Sequence, residues 1–547
     1  MDGFTRRRAL TGALAAGWFA AALALPSAQS RTQAKPDPAP VAQAARPDSA
    51  DLDAIARIKE EALQRSQVMD TLWYLTDVHG PRLTNSPGLK AAATWAQGRL
   101  RDWSVPNVRE ETWGPFGRGW ANEKLTAQVL APRPFPLIAA PRAWTPGTDG
   151  TVTGEAVVTA IRTDADFATW TGKLSGKVVL NQPAVDIPLL TTPLARRFTD
   201  QDLVDLQVQP VNPGRGRGAR AGGPPTAAGF TERLNQFFAR EGVVATLEPG
   251  TGRNNRGTIL VNNAPATYWS ANPPMMTPQL VVSSEQYNRL VRLVDGKVPV
   301  RLELNVQNRF VGDSLDAFNI VAELPGTDKA AEVVMLGAHF DSWHSGTGAA
   351  DNAAGSAAMM EAMRILKATG LRLRRTVRLV LWTGEEQGLL GSQAYVKEHF
   401  GDPVTMTLKP EHARVSVYFN MDNGSGAIRG VYLQGNEAVR PIFATWMEPF
   451  RSLGMTTMAI RSVASTDHRS LDAIGIPAFQ FIQDPLDYGS NAHHTNNDVY
   501  ERVQPEDMMK NAAIAASFVY HAAVRDELLP RKPLPRPQPQ PRPASTQ

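Results

Sequence analysis

The chain has 547 residues, with 57 Lys and Arg against 53 Asp and Glu, a formal charge of +4, and no cysteine. At about 100–200 residues per domain, this length allows two to four domains. The missing cysteine excludes a disulfide scaffold, a thiolate metal site, a cysteine nucleophile and a lipidated-cysteine anchor, so any metal must be held by His, Asp and Glu. The excess charge lies at the ends: residues 1–30 carry +2, 31–50 carry +1 and 528–547 carry +4, which leaves 51–527 at −3. A slightly acidic body argues against a phosphate-binding surface, and no nucleic-acid partner is expected.

Residues 1–30 have a basic start at Arg6, Arg7 and Arg8, an uncharged Ala/Leu/Gly run to Leu25 and small residues near Ala28 and Ser30. This is the pattern of a secretory leader, and the paired arginines resemble a twin-arginine signal. The protein is therefore expected to be periplasmic or secreted. An uncleaved leader is the alternative, because the apolar run is close to the ~17–25 residues that span a bilayer. Stable membrane association is expected only in that case. Residues 31–50, rich in Pro and Ala, read as a linker, and the Pro-rich 528–547 as an extended tail.

The body opens with helical spacing at Leu52, Ile55, Ile58 and Ala62, and later at Met69, Leu72 and Leu75. Ser86 is placed to cap a helix over 89–103, with Pro87 in its first turn. Residues 51–124 are expected to be the first part of the catalytic domain. From 125 to 308 the pattern changes to short β-like runs at 151–160, 177–180, 257–261, 279–282 and 298–304. Few long helical patterns interrupt them, which predicts a mostly-β inserted domain. An Arg/Gly-rich stretch at 211–225 reads as a loop. None of the chain's nine histidines falls between His79 and His339, so the insertion is not expected to hold a transition metal.

From Ala331 the pattern becomes strand–helix alternation, and residues 309–527 are expected to be the main part of the catalytic domain. Strands are predicted at 333–337, 377–382, 415–421 and 477–482, with helices at 353–367, 389–398 and 505–524. Such alternation implies a doubly wound α/β mixed sheet whose chemistry sits just beyond the strand C-terminal ends. Polar residues cluster there: His339 and Asp341, then Asp351, the pair Glu385-Glu386, Asp422, and His493-His494. Singly, each has a bland explanation: Asp351, for instance, also fits a helix N-cap. Together, His339, Asp351, Glu386, Asp422 and His494 form an imidazole–carboxylate set of the kind that suits zinc, with one carboxylate able to bridge two ions. Two ions roughly 3.5–4 Å apart can share a water and polarise a carbonyl. Glu385 is then free to act as general base, and Asp341 to hold the His339 tautomer from behind.

The motifs Gly337-Ala-His-Phe-Asp-Ser342, Ala350-Asp-Asn-Ala-Ala-Gly355, Gly384-Glu-Glu-Gln-Gly388, Asn420-Met-Asp422 and His494-Thr-x-x-Asp498 resemble those of the co-catalytic zinc aminopeptidase family. The early stretches Leu75–Thr84 and Trp113–Arg118 are most similar to its carboxypeptidase Q-like branch. Residues 125–308 resemble the protease-associated domain inserted in such enzymes. The resemblance implies two zinc ions per chain, with Co or Mn as substitutes. It places His339 and Glu386 on opposite ions, Asp351 between them, Asp422 and His494 completing the shells, and Glu385 as base. Relatives use a tyrosine near the last histidine to hold the oxyanion; here His493 and Tyr488 are the candidates, while Asp467 or His468 could meet substrate. The expected function is an exported exopeptidase acting on small peptides or dipeptides, with a homodimer allowed. The rivals are a single-zinc glutaminyl cyclase and a non-catalytic peptide-binding protein on the same scaffold.

Overall fold

A computed structural model describes residues 49–212, 229–262, 264–312 and 314–537. The leader, nearly all of the linker, most of the Arg/Gly-rich stretch and the last ten residues lie outside the described residues. Helix Leu52–Gln64 begins where Asp51 accepts the N–H of Ala54, and it buries Ile55, Ile58 and Ala62. Leu52, expected on that face, is instead 66% exposed. Helix Pro87–Asp102 starts as its sequence dictates, with the Ser86 hydroxyl accepting the N–H of Leu89 and Pro87 in the first turn.

The main sheet has eight strands in the order Arg109–Trp113, Ala317–Leu324, Arg375–Trp382, Lys329–His339, Val415–Asn420, Ala478–Gln483, Ile428–Tyr432, Thr457–Ala459. The four central strands are parallel, and antiparallel pairs flank them, so the sheet is mixed as expected. Side chains alternate along Lys329–His339. Val334, Leu336 and Ala338 join a core with helices Ala354–Thr369 and Pro505–Val524, while Val333 and Met335 face Tyr395 and Leu471 on the other side. Phe419 lies at the heart of the larger core, with the rings of Phe443, Phe479, Phe481 and Phe518 within 5.8–6.2 Å.

A second eight-stranded sheet is built from residues 119–311. It is not mostly β. Strands Val152–Val158, Lys177–Leu180, Ala245–Pro249 and Gln279–Val282 run parallel, and helices Phe230–Arg240 and Ser284–Asp295 punctuate the same stretch. Tyr287, Leu290 and Val291 recur at helical spacing and bury one face of Ser284–Asp295, which lies between the β-like runs at 279–282 and 298–304. Residues 257–261 form no strand; only Leu260 pairs, across an isolated bridge, with Thr495. Beyond Val524 the chain stays docked as far as Lys532: Leu529 is buried and Arg531 donates to the carbonyls of His412 and Val415.

Candidate active site

The polar cluster forms where the order of the parallel strands reverses. The chain leaves Lys329–His339, crosses to Arg375–Trp382 on one side, and returns to Val415–Asn420 on the other. A crevice opens at the carboxyl ends of strands at such a point. His339 ends its strand there, and its Nε2 lies 3.4 Å from Asp422, two residues past the neighbouring strand.

Asp351 stands between two groups. Its Oδ1 is 3.1 Å from His339 Nε2, and its Oδ2 is 3.2 Å from His494 Nε2. His494 Nε2 is in turn 2.8 Å from Glu386. One carboxylate therefore faces His339 and Asp422 with one oxygen and His494 and Glu386 with the other. The capping role that competed for Asp351 falls to Asn352, whose Oδ1 accepts the N–H of Gly355 while its Nδ2 donates to the Met421 carbonyl. Gly355 permits this: a Cβ there would sit 2.3 Å from the Met421 carbonyl oxygen.

Glu385 and Glu386 lie on a turn after Trp382 and point to different sides, with Glu385 3.9 Å from His339. Asp341 is fully buried, and its carboxylate accepts the backbone N–H groups of Glu385 and Glu386 at 3.3 and 3.4 Å, and the Thr84 hydroxyl at 2.8 Å. The His339 tautomer is held by the main-chain carbonyl of Asp341, 3.0 Å from Nδ1, rather than by its side chain at 3.8 Å. His493 stacks on His494 at 3.7 Å, and Tyr488 packs edge-on against His493; both line the cleft. Asp467 and His468, expected beside substrate, do not line it. Both are fully buried, and His468 Nε2 turns to the Val463 carbonyl at 3.1 Å. Their neighbours Thr466, Arg469 and Ser470 face the cavity, whose volume is about 960 Å³.

The cluster's electrostatics call for added positive charge. Burial pushes Glu385 well above the usual carboxylate range and Glu386 up to about 7. Burial opposes protonation of His494, yet Glu386 and Asp351 raise it to about 10. Asp351 Oδ2 and Glu386 Oε1 are buried and accept no hydrogen bond from a described residue. Unpaired buried carboxylate oxygens converging on neutral-capable imidazoles are what a divalent cation satisfies, and a His/Asp/Glu donor set fits zinc.

Supporting residues went unassigned at the sequence level. Asp498 accepts the N–H groups of Ala350 and Asp351. Arg82 is fully buried and donates to the carbonyls of Leu75, Phe340, Thr347 and Gly348, fastening the strand end to the loop before Asp351. Their positions inside the motifs that carry the resemblance were the available signal. A further strap comes from the second-sheet region. Val261 N–H donates to the His494 carbonyl at 3.2 Å, Arg253 to the His493 carbonyl at 3.0 Å, and the Asn262 amide lies 3.4 Å from His494 Nδ1. The strap holds His494 at φ +63°, a left-handed conformation uncommon for residues other than glycine.

Residues 319–519 match the family model described as Peptidase family M28. The fold, the donor set and this match define a zinc metallopeptidase, a hydrolase of peptide bonds. The chain is similar to carboxypeptidase Q of Mus musculus, with 26% identity over 481 residues, 87% of this chain and 90% of the relative. The fold is shared with a peptidase M28 precursor of Shewanella amazonensis SB2B (TM-score 0.62, 24% identity, 88% of this chain and 98% of that one). It is also shared with BSAP, a zinc aminopeptidase from Bacillus subtilis (TM-score 0.52, 17% identity, 84% and 95%).

Proposed function

We propose that the protein is a two-zinc exopeptidase that releases a terminal residue from small peptides or dipeptides. The observation that carries this reading is the double-faced Asp351 carboxylate, with His339 and Asp422 on one side and Glu386 and His494 on the other. His339, Asp422 and Asp351 Oδ1 would hold one ion; Glu386, His494 and Asp351 Oδ2 would hold the second. When bound, two such ions lower the pKa of a shared water and polarise the scissile carbonyl.

Glu385 lines the cleft without belonging to either trio, and it takes the proton from the attacking water and returns it to the leaving amine. Asp341 positions Glu385 and Glu386 through their backbone N–H groups, so the base and a ligand share one mount. Tyr488 and His493 also line the cleft and are the donors proposed for the developing oxyanion. The leader supports export to the periplasm or beyond, and among the described residues no helix is long and apolar enough to cross a membrane.

The test is metal analysis of the pure protein alongside turnover of free dipeptides. The expected result is close to two ions per chain with hydrolysis abolished by chelation and restored by zinc. A single ion with pyroglutamate formed from Gln-initiated peptides would overturn it in favour of a cyclase.

A further inference from the structure

The second sheet carries polar residues on a face that also contributes to an apolar core. Val178 and Leu180 join the core that includes Tyr287 and Leu290, while Val179 points to the other side, toward Phe230, Phe237 and Phe238. The register puts Thr246 beside Val179 and Gln279 beside Thr246, with Glu248 two residues along the same strand. All three therefore share the Val179 face. That face opens into a cavity of about 860 Å³ that shares no lining residue with the metal-site cleft.

The polar groups in this cavity are buried yet keep bonding capacity. Gln279 is 4% exposed and Tyr268 2%. Gln279 Nε2 donates to Asn235 Oδ1 at 3.2 Å and to the Tyr268 oxygen at 3.4 Å, and the Asn235 amide donates to the same oxygen. With two amides donating to it, Tyr268 still has its own hydrogen to give, and burial raises its pKa, which keeps that hydrogen in place. Gln279 Oε1 and the Thr246 hydroxyl bond to no described residue. Buried groups of this kind are costly unless something in the cavity meets them.

Charges of both signs lie alongside. Glu248 receives Arg142 through Oε2, and its Oε1 bonds to no described residue. Arg162 donates through Nη1 to the carbonyls of Ile161 and Asn181, leaving Nε and Nη2 without a described partner. Phe230, Leu234 and Phe238 supply an apolar wall. No histidine lines the cavity, and among the described residues no set of metal ligands gathers there, so it is equipped to bind rather than to react.

We propose that this cavity is a second, non-catalytic binding site for a short zwitterionic peptide of about two or three residues, a size that suits its volume. Glu248 receives the ammonium and Arg162 the carboxylate. The Tyr268 hydroxyl donates to an amide carbonyl, Gln279 Oε1 accepts an amide N–H, and a side chain rests on the Phe230 wall. The site adjoins the strap on His494, because Arg142 also donates to the Asn262 carbonyl at 3.4 Å. This inference goes beyond the exopeptidase reading and does not depend on it.

The experiment is calorimetric titration with alanyl-phenylalanine of zinc-loaded Glu385→Gln, alone and combined with Thr231→Trp or Glu248→Gln. Thr231 lines the cavity but is exposed, so an indole there fills the cavity without disturbing a core. The parent protein should bind two dipeptides per chain, one in each cavity. Thr231→Trp should abolish one of these events, and Glu248→Gln should weaken the same one about 10–100-fold, because a hydrogen bond to a charged group is lost. The event that persists shows that the variants are folded. A single event that both variants remove also supports the proposal. Binding that both variants leave unchanged, or no binding to the parent protein, would overturn it. Turnover of the same dipeptide by the wild type tests the exopeptidase reading separately.

Discussion

The Asp498 carboxylate accepts the main-chain N–H of Asp351 at 3.1 Å, and with its other oxygen that of Ala350 at 2.6 Å. The Asp351 side chain, which faces both ions of the proposed site, is thus aimed through its own backbone by a residue more than a hundred positions downstream. Removing that grip by Asp498→Ala should weaken metal affinity about 10–100-fold, the usual cost of losing an outer partner of a ligand. Metal titration of the apoprotein measures it, and retained far-UV circular dichroism separates it from unfolding.

Glu385→Gln preserves size but cannot carry a proton. Turnover should fall about 10²–10⁴-fold with metal content unchanged, since the residue lies outside both ligand trios. Single-turnover kinetics with parallel metal analysis provide the readout. Metal lost together with activity would instead make Glu385 a ligand.

His468 is fully buried, and burial lowers its pKa to about 3. The unfolded chain takes up that proton near 6.5. Between these values the unfolded state holds more protons, so this residue's penalty is absent above pH 6.5 and grows as pH falls toward 3. The slope is at most about 1.4 kcal/mol per pH unit. Denaturant melts from pH 7 to 4 should show a shallower loss of stability for His468→Gln than for the wild type.

Phe419 has no exposed surface, and four aromatic rings pack around it, so removing its ring opens a void in the core. Phe419→Ala should cost about 3–5 kcal/mol of stability. A smaller loss in denaturant unfolding would show that the cluster repacks.

Much of the site was legible because its chemistry sits at strand ends. Strands at 333–337, 377–382 and 415–421 were readable from apolar runs, and the motif following each run carries a charged residue that the fold brings to one crevice. Asp467 and His468 show the limit. Adjacent positions on a one-turn helix point in different directions, and nothing in the letters says that His468 turns to Val463 while Arg469 turns to the cavity. Asp341 shows another: spacing put it near His339, yet its carboxylate reaches amides 44 and 45 residues away. The insertion's helices were hidden by short apolar runs, in which helical and strand periods are hard to separate. Residues 257–261 owe their extended path to the His494 loop rather than to a sheet of their own.

That path suggests one more measurable effect. Asn262→Ala should speed zinc loss to a chelator about tenfold, with little change in secondary structure, because an outer partner of His494 is removed. The bonds from Arg253 and Val261 should join the rate of metal escape to fraying of a segment that supplies none of the proposed metal ligands. Amide exchange at Val261 and the chelator-driven off-rate should therefore rise together with temperature, along one activation enthalpy. A residue with no direct claim on the ion would then set how long the ion stays.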